Sequence, residues 1–509
     1  MKKTIVLVMI IAVVSKFIGL LRDVFLSYFF GASSITDAYL VSLSIPFLLV
    51  GLIVSGFGAT FIPLYGKYKL ENEEKSLVFT SSLINHLLLF SLIILVPSLI
   101  FTKEILSIVA SGFEGEALEM AVKFTRISLL TLFGTSISII LKAFLEVNKK
   151  FFHANIVMVF YDVVVIISIF LGFRFNLILL PIGALLASYL KVVYLLVMAK
   201  KTGFSYSPKL KFISSEIKVF IFLAFPIMLG NIVAQISFIV TQSIASLTTE
   251  GGISALSYAH KIDSSFQGII IFSSVAVLYP RMTERVNTND FEGLKTLIKR
   301  SIIGVNILLI PAAIGMMLFS SEIITIVFGR GAFNEDAVYL TSIALFFYAI
   351  AMPAIGVKNI LLKTFYSIRD TKTPMIAYSV TMSINILLSF LLVELYGIGG
   401  LALASSISII LFMIILILVV QKKVGLMQLE SLIIPLFKII IATVLMAVVS
   451  VIVRSKTFYL GLEFSFLITI FSAVLSFGII LYLLRLREFR IILTQGFNYI
   501  GKKFRGVES

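Results

Sequence analysis

Long apolar stretches of about 20 residues or more follow one another along the 509-residue chain, separated by short polar segments. Their positions predict membrane-spanning helices near 4–29, 38–65, 77–101, 120–145, 152–173, 177–198, 217–246, 253–283, 297–320, 337–364, 374–396, 398–421, 431–454 and 460–485. The first stretch follows Lys2 and Lys3 but is too long for a signal peptide and has no small-residue cleavage site. It reads as a retained helix. The expected fold class is an all-α integral membrane protein with fourteen transmembrane helices.

The polar segments between the spans are not alike. With the N-terminus inside, the great majority of the Lys and Arg outside the spans fall in inner segments, and only Lys103, Arg174, Arg330, Arg454 and Lys456 fall in outer ones. Such a bias predicts a multi-pass membrane protein with both termini cytoplasmic. The halves also repeat. Ile45, Gly51, Ile53 and Pro63 match Ile262, Gly268, Ile270 and Pro280 at one offset; Leu141, Lys142 and Phe144 match Leu362, Lys363 and Phe365 at a slightly larger one. Six spans per repeat keep both copies in one orientation, an arrangement typical of transporters with a midplane substrate site between lobes. The expected organisation is an N-terminal lobe at 1–200, a C-terminal lobe at 201–425, two added spans at 426–486 and a basic cytoplasmic tail at 487–509.

Composition narrows the function. The chain is 59% hydrophobic and 13% charged, against roughly 45–50% and 25% for soluble domains, so a soluble enzyme is excluded. It has no Cys and only three widely spaced His (His86, His153, His260), which leaves no Cys-built or His-built metal site. No phosphate-cradling P-loop is present. Asp370-Thr371-Lys372-Thr373-Pro374 superficially resembles a phosphorylated-aspartate pump motif, yet the soluble domains of such a pump are missing. The net charge of +16 is accounted for by the inner loops, so no nucleic-acid partner is expected. The outer segment 102–119 carries Glu104, Glu114, Glu116 and Glu119, which read as a solvated edge. Without larger acid-bearing outer loops, a membrane glycosyltransferase is disfavoured and a non-enzyme is expected.

A charge at mid-membrane is costly and usually faces a bundle interior or a wet cavity. Lys16 lies roughly 18 Å into the first span, beyond snorkelling reach of either face. Gly19 and Asp23 share its stripe and Arg22 flanks it. Gly19 would allow close approach, and Asp23 would hold Arg22 or Lys16. The eighth span carries His260, Lys261 and Asp263, with Ser264 and Gln267 extending the polar stripe. Asp263 is expected to pair with Lys261 or bond to Gln267. Asp162 and Lys191, at similar depth on the fifth and sixth spans, are expected to form a structural ion pair. Cations in excess on spans 1 and 8 suit an anionic, phosphorylated substrate and would repel cationic drugs.

These residues carry a resemblance. Ser15-Lys16, Gly19, Arg22-Asp23, Gly31 and Thr36-Asp37-Ala38 resemble the first helix and turn of the MurJ/MviN family. Arg330-Gly331-Ala332-Phe333 is similar to that family's RGAF stretch. Phe365-Tyr366-Ser367, Arg369-Asp370-Thr371-Lys372-Thr373-Pro374 is similar to its loop between spans 10 and 11. The resemblance implies a flippase for lipid II, the undecaprenyl-diphosphate-linked peptidoglycan precursor, working by alternating access through a cationic cavity. It further implies a bacterial inner membrane as the location and a lipid-tail groove by the last two helices. Carried over, Lys16, Arg22, Asp23 and Lys261 would contact the headgroup, with Ser15, Gly19, Asp37, His260, Asp263 and Arg369 supporting or gating.

The chain departs from the family pattern in having Lys16 and Lys261 where Arg is common, His260 where Asp is common, and Val50 where an Arg is common. Lysine keeps the charge but loses the bidentate fork, so a flippase for another undecaprenyl-diphosphate-linked oligosaccharide is the alternative. A cation-coupled multidrug antiporter is a weaker one, because it would want carboxylates. No cofactor is expected. Drive could come from a sodium or proton gradient, for which Asn231, Gln235, Gln242 and Asn385 are candidates, or from the membrane potential. The metal content and oligomeric state are not legible in the sequence.

Overall fold

The computed structural model describes residues 2–207, 215–426, 428 and 430–491; the tail beyond 491 and the side chain of Ile53 lie outside the described residues. Eight helices form the first run: α1 (Lys2–Phe30), α2 (Ser34–Glu71), α3 (Glu73–Ile100), α4 (Thr102–Val109), α5 (Gly115–Leu129), α6 (Thr131–Val147), α7 (Phe151–Arg174) and α8 (Leu179–Lys201). Eight more of closely similar lengths follow: α9 (Ser215–Thr248), α10 (Gly252–Asn287), α11 (Phe291–Leu318), α12 (Ser320–Val327), α13 (Glu335–Ala349), α14 (Met352–Ser367), α15 (Lys372–Tyr396) and α16 (Ile398–Val424). A hairpin of α17 (Glu430–Thr457) and α18 (Leu462–Leu483) ends the described chain.

The two runs share their punctuation. Each has an eight-residue helix, α4 or α12, behind a Phe cap, Phe101 or Phe319. Asn72 and Asp290 cap α3 and α11 through a side-chain oxygen at 2.8 Å from an amide two or three residues on. After α6 and α14 the chain turns through a left-handed residue, Lys149 or Arg369, and a long amide bond closes each helix end, Lys150 to Leu145 O and Asp370 to Phe365 O.

Glu104, Glu114, Glu116 and Glu119 are exposed, as expected of a solvated edge, and the same segment also folds α4, with Leu106 and Val109 buried. Its apolar residues recur at helical spacing and need a partner, which α5 and α9 supply. The span expected at 120–145 falls within one candidate span, Gly115–Val147, built of α5 and α6 joined at Leu130, and that expected at 337–364 corresponds to α13 and α14, which meet at a 46° bend.

Among the described residues, eleven helices are long and apolar enough to cross a membrane, or twelve counting α13 with α14. The chain is an all-helical, multi-span membrane protein. The two long helices of the repeat outside that set are α1 and α10; they carry Lys16, Arg22 and Asp23, and His260, Lys261 and Asp263.

Contacts divide the chain into two compact units. One comprises 1–258 and 328–337. In it α2 packs against α3, α5, α6 and α9, while α1 lies along α7. Its aromatic core holds Phe57, Phe61, Tyr65, Phe79, Phe144 and Phe220. The other comprises 259–327 and 338–509, where α11 packs on α14 and α17, and α15 pairs with α16. Here Arg454 fastens the terminal hairpin, donating to Ser465 Oγ (2.6 Å), facing Glu322 of α12 and lying over the Phe458 ring.

Candidate functional site

The first-unit cluster is built on α1. A 29-residue helix has room for polar side chains on one stripe while its other faces stay apolar. Lys16 is exposed and makes no ion pair among the described residues. Ser15 Oγ, beside it, is buried without a hydrogen-bond partner there. Two turns further on, Arg22 is gripped from two sides. Asp23 Oδ1 accepts from Arg22 Nε (3.2 Å) and Nη2 (3.0 Å), and Asp162 Oδ1 on α7 accepts from Nη1 (2.7 Å). Both carboxylates are buried. Gly19 is where α7 comes close: a Cβ built there would stand 3.5 Å from Asp162 Oδ2.

The expected Asp162–Lys191 pair is therefore not formed. Asp162 pairs with Arg22, and Lys191 lies over the Tyr161 ring, 5.7 Å from its centroid. Depth along a span matched the lysine to the aspartate, but rotation about the helix axis decides which face meets which neighbour, and α1 lies along α7. The sequence missed Asp162 as the partner of Arg22; the signal that could have found it is the small Gly19 one turn before Arg22.

Asp37 is buried in the first turn of α2 and reaches the start of α10. Its Oδ1 accepts from the Ser254 amide at 2.7 Å, so a carboxylate sits on the positive end of that helix. The start of α2 is met in return: the Ser34 amide donates to Glu250 Oε1 at 3.1 Å. The 328–337 segment seals this end. The Ala332 amide donates to Tyr28 O at 2.8 Å. Gly31, at φ +65°, leaves only 2.5 Å between a built Cβ and Ala332 O; Gly331 stands equally tight against Tyr28 O. Tyr258, buried, meets the rings of Phe328 and Phe333. The Thr36-Asp37-Ala38 and Arg330–Phe333 motifs, remote in sequence, form one interlocked end.

In the second unit, Asp263 is buried and accepts from Gln267 Nε2 at 2.5 Å, the second of its two expected partners; its other oxygen has no partner among the described residues. Lys261 is half-buried, and His260, exposed, meets the Tyr348 ring edge-on. Arg369 is exposed at the left-handed end of α14. Next to it Asp370 accepts from the Thr373 amide (3.0 Å) and Lys423 Nζ (2.6 Å). Partial burial raises its pKa, but these bonds outweigh that and hold the carboxyl below its ordinary range.

The candidates for an ion site are partly used elsewhere. Gln242 accepts from Ser44 (3.1 Å), Gln235 lies against Gly51, and Asn385 faces Ser405 at 3.5 Å. Among the described residues no group of three or more His, Asp or Glu could hold a metal ion.

Comparison with known proteins follows the same lines. The family model for the lipid II flippase MurJ matches residues 26–472. A probable lipid II flippase MurJ from Thermotoga maritima is 29% identical over 95% of this chain and 96% of its own length. The lipid II flippase MurJ of Thermosipho africanus is 28% identical over 77% and 80%. A solved lipid II flippase MurJ in an inward closed conformation is 26% identical, covering 93% of this chain and 98% of that one, with a TM-score of 0.81. A multidrug resistance MATE family transporter in an inward-facing conformation, 15% identical with a TM-score of 0.68 over 82% of this chain and 96% of that one, is similar in fold alone.

Proposed function

The chain belongs to the lipid II flippase MurJ family, and from that premise we propose that it moves lipid II from the inner to the outer leaflet of a bacterial inner membrane by alternating access. It does so without covalent chemistry. Lys16, Arg22 and Lys261 pair with the diphosphate oxygens, Asp23 orients Arg22, and Ser15 and His260 add polar contacts. Fourteen helices cross the membrane once α1 and α10 are counted, in two lobes of six and a terminal hairpin whose outward apolar face takes the lipid tail. Both termini are cytoplasmic.

The observation that carries the site reading is Lys16: an exposed lysine deep in an apolar helix, without an ion pair among the described residues, near an arginine that has two. A charge kept there at a cost of roughly 3 kcal/mol needs a partner that arrives with the substrate. Asp37 and Glu250 tie the start of α2 to the start of α10 within the first unit, which fixes the end of α1 that carries the Arg22 cluster.

The test is complementation. Expressed in cells depleted of their own lipid II flippase, this chain restores growth, and Lys16→Ala abolishes it at unchanged protein level. Lost abundance would instead make Lys16 a folding residue. Failure of the folded, inserted wild-type chain would favour another undecaprenyl-diphosphate-linked oligosaccharide, with Val50, Lys16 and Lys261 as the residues to change first.

A further inference from the structure

Arg22 has five N–H groups. Asp23 takes the edge formed by Nε and Nη2, and Asp162 takes Nη1. One N–H is left on each terminal nitrogen, and the side chain is 24% exposed. The two carboxylates are not equivalent. Asp23 is the next residue on α1 and is tied to Arg22 by the chain, whereas Asp162 belongs to α7 and is held to Arg22 only through its side chain. With Asp162 in place, Nη1 already donates to a carboxylate, which leaves the guanidinium less able to take a diphosphate.

The surroundings keep Asp162 directed at Arg22. Gly19 lets its carboxylate lie against α1, with Oδ2 3.5 Å from the site of a Cβ. Lys191 on α8, which could have drawn it away, is held over Tyr161.

We propose that Asp162 is a positioning residue, a counter-ion that holds the Arg22 fork while the site is empty and is exchanged for the diphosphate of the substrate. This rests on the reading of Arg22 as a headgroup contact. Asp162 opposes binding and assists release: it competes with the diphosphate for Nη1 and takes the guanidinium back when the lipid leaves. Asp23 stays bound throughout, so Arg22 keeps its orientation.

The probe is undecaprenyl diphosphate, titrated onto the full chain in nanodiscs, with the flipping rate followed in proteoliposomes. Asp162→Asn keeps the size and removes the charge. It is expected to tighten binding about tenfold, the size of one competing charge-assisted hydrogen bond, and to slow turnover. Asp162→Ser moves both in the same directions, and Asp162→Glu returns them toward wild type. A purely structural aspartate would weaken binding or lose protein in all three. If Arg22→Ala binds the probe as wild type does, the headgroup reading itself is wrong. If Arg22→Ala weakens binding while Asp162→Asn leaves it unchanged or weaker, only the counter-ion proposal falls. If both neutral variants fail to accumulate while the glutamate variant does, the charge serves folding and the proposal is overturned.

Discussion

At the scale of single residues, the carboxylates divide by what they answer. Asp23 and Asp162 answer a guanidinium, Asp263 an amide side chain, and Asp37 the backbone at the start of a helix. That last role gives a clean expectation. Asp37→Ala removes both an acceptor and a charge from the positive end of α10 and is expected to cost about 1–2 kcal/mol. Asp37→Asn keeps an acceptor and should cost about half as much. Denaturant unfolding in detergent separates them; equal losses would mean that the cap is not what Asp37 contributes. The sequence picked out Lys16, Arg22 and Asp23 because a polar group inside an apolar run is conspicuous, and Asp37 only through the resemblance of Thr36-Asp37-Ala38 to the family's turn. Their partners were another matter: the Ser254 amide is a backbone group without a side-chain signature, and Asp162 was assigned to Lys191 because depth is readable from sequence while helix rotation is not.

At the scale of elements, helix positions were legible and helix joints were not. Hydropathy marks a span wherever about 20 apolar residues run together, but it passes over the break at Leu130 and the 46° bend between α13 and α14, since neither interrupts the apolar pattern. It also hides α4 and α12, too short to span and too polar on one side. The turn glycine Gly31 is visible in the sequence, but its reason lies in the 328–337 segment packed against it. Gly31 holds a left-handed φ and has Ala332 O where a Cβ would go. Gly31→Ala is expected to cost about 2–3 kcal/mol through strain and displacement together, whereas alanine at Gly66, which faces open space, costs less than about 1 kcal/mol by helix propensity alone. Thermal unfolding of the two variants, side by side, tests this; equal shifts would show that the 328–337 contact contributes nothing at Gly31.

At the scale of the whole molecule, the repeat first seen in a handful of identities extends to caps, short helices and left-handed turns. It was faint in sequence because side chains diverge while the backbone's need for a cap at each helix start does not. The proposed orientation can be checked directly because the chain contains no Cys. Single cysteines at Lys149, Arg369 and Arg485, all left-handed turn positions, should be labelled by an impermeant thiol reagent only from the cytoplasmic side, and those at Glu116 and Asp336 only from outside. Mixed labelling within either set would break the topology. The segment 328–337 has one more consequence, which concerns time. The Tyr28 carbonyl waits for an amide that emerges from the ribosome some three hundred residues later. The first unit is therefore unfinished throughout most of synthesis, with its α1–α2 turn open until Ala332 arrives. A ribosome that stalls before this point leaves a chain whose opening helices have nothing to close on, a ready mark for quality-control proteases.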